Sequence, residues 1–196
     1  MAAKKKVAKK ATAKAAPQKK TTQKAVKKTA KKTVAKPAKK GSLAKSLLGK
    51  PAPDFAMATD GGGKVSLKGL RGKRVVLYFY PKDDTPGCTA QACTFRDSLP
   101  KFANLNAEVI GVSKDDVKSH NKFKTKFSLN FPLASDASKV TEAYGAWQQK
   151  SMYGRTYMGI ERSTFIIDEK GIVRAEWRKV SMPGHAEEVR KALDVL

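Results

Sequence analysis

Cys88 and Cys93 are the only two thiols in the 196 residues, and they stand five positions apart. Cys88 follows Tyr78-Phe-Tyr-Pro-Lys-Asp-Asp-Thr-Pro-Gly, a β-like apolar run that meets a proline and then a short loop. A helical pattern runs from about Cys88 to Leu105, so the first thiol falls at a helix start. Unpaired amide N–H groups and the positive end of the helix dipole favour a thiolate at such a place. Thr85, three residues earlier, can offer a hydroxyl to the sulfur or to an oxygen approaching it. These residue types suit nucleophilic attack by sulfur.

Cys93 is the natural second thiol. Five residues along an ideal helix place two Cα atoms roughly 8.7 Å apart and about 140° around the axis. A disulfide needs Cα atoms roughly 4.4–6.8 Å apart, so this pair cannot join while the helix is intact. Oxidation must therefore unwind its first turns. Zinc is disfavoured, because the only histidines, His120 and His185, lack the paired spacing of a structural site. Gly61-Gly62-Gly63 lacks the lysine–serine ending of a phosphate loop and reads as a hairpin turn. Trp147, Tyr153 and Tyr157 read as core or rim residues.

The elements that must position the thiols follow from periodicity and turn chemistry. Short strands are expected around Phe55 and Val65, on either side of Asp60–Gly63, and a strong strand at Arg74–Tyr80. Ala107–Ser113 reads as a second central strand. A helix from Asp115 to about Phe127 opens on an aspartate, and a shorter one covers Ala137–Tyr144. Ser163–Asp168 and Ile172–Trp177 form a hairpin across Glu169-Lys170-Gly171. Gly184–Leu196 closes the chain as a helix with Val189, Leu193 and Leu196 on one face. This order implies an α/β fold, a mixed sheet with helices on both faces.

Residues Pro81-x-x-x-Thr85-x-x-Cys88 with Cys93 behind them, Ala52-Pro53-Asp54-Phe55, Gly72-Lys73 and Gly159-Ile160-Glu161-Arg162-Ser163-Thr164-Phe165-Ile166-Ile167-Asp168 form a specific combination of motifs. From about residue 48 to 196 the chain resembles the bacterioferritin-comigratory-protein, or Q-type, branch of the peroxiredoxins. The resemblance implies a thioredoxin-like fold and a thiol peroxidase acting on hydrogen peroxide and organic hydroperoxides. It implies that Cys88 is the peroxidatic cysteine and Cys93 the resolving one. Thr85 would hold the peroxide oxygens, Pro81 would shield the thiolate from water, and Arg162 would polarise the O–O bond. Thioredoxin or a similar dithiol would be the reductant, no metal, flavin or haem would be required, and the protein would act as a monomer.

Charge divides the chain. Residues 1–50 hold 18 lysines and no arginine, acid or aromatic residue. Residues 51–196 hold the other 23 basic residues and all 17 acids, a net of +6 out of the total +24. A single, evenly basic globular protein is thereby excluded. The expected division is a disordered polycationic tail, 1–46, and a thioredoxin-like domain, 47–196. Like charges at helical spacing and the lack of an apolar stripe oppose order in the tail.

Its partner should be a polyanion, nucleic acid bound through phosphates without sequence preference; the alternatives are anionic lipid or a solvated tail that binds nothing in particular. If about half of the sixteen lysines in 1–40 engaged duplex DNA, the log–log salt slope would be roughly −7. The segment is similar in composition to the tails of linker-histone-like proteins. No apolar run approaches the roughly 20 residues of a membrane span, and the first 40 residues hold no secretory apolar region. An organelle transit peptide is disfavoured by the late first arginine, Arg71, and first serine, Ser42. A cytoplasmic protein is expected, associated with the nucleoid through its tail. The alternative function is a non-specific DNA-associated protein with a redox-sensing thiol pair.

Overall fold

Side chains in the run Val75–Tyr80 alternate between two cores, which is why all six are buried. Val75, Leu77 and Phe79 join one apolar cluster, and Val76, Tyr78 and Tyr80 join the other. The computed structural model describes residues 45–152 and 154–196. Most of the expected tail, residues 1–44, and Tyr153 lie outside the described residues.

Among the described residues, nine strands and four α-helices follow one another: β1 Ala56–Thr59, β2 Lys64–Ser66, β3 Arg74–Phe79, α1 Pro86–Ala103, β4 Ala107–Ser113, α2 Val117–Phe127, β5 Leu133–Ser135, α3 Val140–Ala143, β6 Trp147–Met152, β7 Arg155–Ile160, β8 Ser163–Ile167, β9 Val173–Trp177 and α4 His185–Asp194. Seven strands form one sheet in the order β2-β1-β5-β4-β3-β8-β9. β3, β4 and β5 run parallel, joined by the α1 and α2 crossovers, whereas β1, β2, β8 and β9 add antiparallel edges. The fold is thioredoxin-like. α1, α2 and α4 cover one face through Phe95, Phe102, Phe123, Val189 and Leu193. α3 covers the other, beside Phe55, Leu67 and Tyr144.

The expected hairpin forms as β8–β9, with a register shift at Ile166/Ile167. Asp168 shapes its turn: Oδ1 accepts the Lys170 and Ile172 amides, and Oδ2 accepts Arg174 Nε at 2.7 Å. Asp116, not Asp115, caps α2, accepting the Ser119 amide at 2.7 Å. Asp115 is held elsewhere, because its Oδ2 accepts Ser113 Oγ and the Asp83 amide. Three strands go beyond the sequence reading. β5 is three residues long, too short to display a period, and β6–β7 forms a separate two-stranded sheet whose residues are largely polar or exposed. Among the described residues, no helix is long and apolar enough to cross a membrane.

Candidate active site

The start of α1 lacks a side-chain cap. Thr85 occupies the capping position with extended backbone, yet its Oγ1 donates to the Lys82 carbonyl at 3.1 Å instead of accepting from the first turn. Pro86 supplies the preset φ of a first helical residue and has no N–H to satisfy. The amides that follow have no side-chain acceptor, so an anionic oxygen arriving there meets free donors and the positive end of an 18-residue helix. Cys88 lies in this first turn and is 2 % exposed.

Arg162, in the two-residue link between β7 and β8, reaches the same point. Its Nη2 donates toward Cys88 Sγ at 3.6 Å, and its Nη1 to Gln91 Oε1 at 3.1 Å and toward Met182 Sδ at 3.6 Å. Neither Glu161 nor Asp168 takes it as an ion-pair partner; Asp168 pairs with Arg174. Gly87 makes the approach possible, since a Cβ there would lie 3.1 Å from Arg162 Nη2. Arg162 and the helix start together stabilise negative charge on the sulfur or on an oxygen leaving it.

Other ionisable groups feel this site. Burial raises the Tyr78 phenol well above its ordinary range, and the charges of Cys88 and Asp83 push the same way. Its buried hydroxyl has no partner, nor does Gln91 Nε2. Burial lowers the Lys150 ammonium, as does Arg162, against the opposing charges of Glu161 and Cys88. Lys150 stands on β6 opposite Tyr157 on β7.

Of the residues singled out from sequence, Cys88, Thr85 and Arg162 converge at the start of α1. Cys93 is half-buried further along the same continuous helix, and both thiols are free. Pro81 is exposed where the loop leaves Tyr80. Trp147 is half-buried with Lys114 Nζ 4.6 Å above its ring, and Tyr157 is exposed. Gln91, Lys150 and Met182 were not legible as site residues; only the spacing of Gln91, three residues after Cys88, placed it on the same helix face.

A soft sulfur nucleophile held against a hydrogen-bond-donating cation is equipped to split an O–O bond. On a thioredoxin-like sheet that combination defines a thiol peroxidase. A family model described as AhpC/TSA family matches residues 48–176. A putative peroxiredoxin bcp of Coxiella burnetii is 50 % identical over 143 residues, covering 72 % of this chain and 95 % of that protein. Peroxiredoxin Bcp of Bacillus subtilis is 50 % identical over 147 residues, covering 74 % and 94 %. The solved peroxiredoxin Q of Xanthomonas campestris superposes with a TM-score of 0.69 at 42 % identity, covering 72 % of this chain and 90 % of its own. Another structure of the X. campestris bacterioferritin comigratory protein, with the same TM-score, identity and coverage, is described in terms of its alkyl peroxide reduction activity. The chain belongs to the AhpC/TSA family, in its Bcp or Q-type peroxiredoxin group, and is a peroxidase.

Proposed function

We propose that Cys88 is the peroxidatic thiolate and Cys93 its resolving partner. The contact of Arg162 Nη2 with Cys88 Sγ, 3.6 Å at an uncapped helix start, carries the reading. The Cys88 sulfur attacks the terminal oxygen of a hydroperoxide and the O–O bond breaks. The electron pair leaves on the distal oxygen, which takes a proton to become water or an alcohol. Arg162 and the first-turn amides bear the charge during this transfer, with Thr85 steering the oxygens and Pro81 shielding the sulfur. Cys93 then attacks the Cys88 sulfenic acid, expelling water and forming a disulfide. An intact α1 holds the two Cα atoms roughly 8.7 Å apart, so its first turns must open. A dithiol protein of the thioredoxin kind returns both thiols by exchange.

Substrates are hydrogen peroxide and organic hydroperoxides, a reading supported by the alkyl peroxide reduction described for the X. campestris protein. The polycationic residues 1–46 hold this peroxidase near nucleic acid through phosphate contacts. The catalytic unit is a single chain in the cytoplasm.

A thioredoxin-coupled peroxide assay with thiol counts tests the scheme. Cys88→Ser abolishes turnover, and Cys93→Ser permits one turnover and then stops. Rapid cycling by Cys93→Ser would remove Cys93 from its role. Deleting residues 1–40 abolishes salt-sensitive DNA retention and leaves peroxidase activity intact; unchanged retention would overturn the role given to the tail. Sizing of the reduced protein checks the monomer.

A further inference from the structure

We propose that Met182 is a second peroxide-reactive sulfur in this site, oxidised to the sulfoxide by hydroperoxide polarised on Arg162. The inference rests on the part of the proposed function that gives Arg162 the peroxide.

One guanidinium faces two sulfurs: Nη2 is 3.6 Å from Cys88 Sγ, and Nη1 is 3.6 Å from Met182 Sδ. Met182 reaches this position from the segment between β9 and α4, and its backbone is pinned there. The Val180 amide donates to the carbonyl of Arg162 itself at 2.9 Å, and the His185 amide to the Met182 carbonyl at 3.4 Å. Met182 is half-buried, so the thioether borders the site without being sealed from it.

A thioether is a soft two-electron nucleophile. Its lone pair takes one peroxide oxygen, the O–O bond breaks, and the bonding pair leaves on the other oxygen. The proton from the transferred oxygen ends on that leaving oxygen, so a sulfide and a hydroperoxide become a sulfoxide and an alcohol or water. Sulfur is oxidised by two electrons and the peroxide reduced by two. The only oxidant needed is the enzyme's own substrate class. A thiolate is the stronger nucleophile, so Cys88 reacts first. Once Cys88 is spent as sulfenic acid or disulfide, Met182 is the reduced sulfur still facing Arg162.

The sulfoxide oxygen is a far better hydrogen-bond acceptor than a thioether sulfur. It holds Nη1 and draws the guanidinium from Cys88, so prolonged peroxide exposure slows the enzyme until the sulfoxide is reduced.

Two other methionines serve as internal controls. Met158 is 50 % exposed and outside the contacts of Arg162, and Met57 is 3 % exposed in the core. If exposure governs oxidation, Met158 reacts first; if Arg162 governs it, Met182 does. The full chain is treated with excess hydrogen peroxide without reductant, and the one-oxygen mass gain of each methionine peptide is followed in time. Met182 should be half-oxidised at least about threefold sooner than Met158, in wild type and in Cys88→Ser, and Arg162→Gln should abolish that lead. Oxidation of Met158 first, or a lead that survives Arg162→Gln, would overturn the proposal. Thiol loss at Cys88 in the same wild-type samples tests the parent reading separately. No thiol loss with Met182 still leading would refute Cys88 as the peroxide-reactive thiol and leave the action of Arg162 on Met182 standing.

Discussion

Asp83 and His120, 37 positions apart, meet in the core with Asp83 Oδ2 2.9 Å from His120 Nδ1. Burial alone would raise the Asp83 carboxyl, but bonds from His120, Tyr80 and Ser119 hold it below its ordinary 3.8. An ionised carboxylate only accepts, so His120 Nδ1 is the donor. Tyr80 Oη and Ser119 Oγ each donate to the same carboxylate at 2.7 Å. The loop before Cys88 is thus bolted to Tyr80, just past β3, on one side and to α2 on the other.

Removing one donor from that buried carboxylate should cost about 2–3 kcal/mol. His120→Leu is expected to lower the urea midpoint and, by loosening the loop, slow the first reaction with peroxide. His120→Asn, whose amide can reach from a similar place, should recover part of both. Stopped-flow rates and denaturation curves check this, and an unchanged rate in His120→Leu would cut the loop's link to the site.

Gly87 offers a separation of stability from activity. Alanine is a better helix residue than glycine, so Gly87→Ala should leave the melting temperature unchanged or slightly raised. Its Cβ would press on Arg162 Nη2 from 3.1 Å and move the guanidinium by a few tenths of an ångström. The expected loss in the second-order rate with peroxide is about tenfold. An undiminished rate would show that the Arg162–Cys88 contact does not set it.

His185 predicts a pH dependence of stability. Burial pushes its imidazole down to about 4, while Nε2 bonds Thr164 Oγ1 at 2.8 Å and Glu188, largely exposed, lies 3.7 Å from Nδ1. The unfolded chain takes up a proton below about 6.5 and the folded one does not, so stability falls as pH drops through that window. Between pH 7 and pH 5 the loss should be about 2 kcal/mol. His185→Gln, which keeps a polar group for Thr164 but does not titrate, should lack that component when urea midpoints are compared at the two pH values.

Gly111 lies under Tyr78, and a Cβ there would come within 2.7 Å of the Tyr78 hydroxyl and 2.9 Å of Leu133 Cδ2. Tyr78 cannot swing aside, because it stacks on Phe95 and Tyr80. Gly111→Ala should cost about 1–3 kcal/mol by overpacking. Tyr78→Phe deletes a buried hydroxyl without a partner and should recover part of that loss, read as a double-mutant cycle of thermal melts.

The sequence by itself determined the features whose causes are local. The run Val75–Tyr80, the Glu169-Lys170-Gly171 turn and the proline-led helix start at Cys88 carry their own periodicity and turn chemistry. So does the segregation of lysine into the first 50 residues. Five-residue spacing on one helix is enough to require that α1 open before Cys88 and Cys93 can bond. The family resemblance named Arg162 for the thiol, but local patterning could not, and tertiary structure alone decided the contacts it makes there. Arg162 arrives from 74 positions away, Met182 reaches Arg162 across a further 20, and Asp83 finds His120 only when α2 packs behind the loop. None of these pairs leaves a periodic trace, because each depends on how strands distant in sequence are laid side by side. β5 and the β6–β7 sheet were hidden for the related reason that three residues, or a polar ribbon exposed to water, show no hydrophobic alternation.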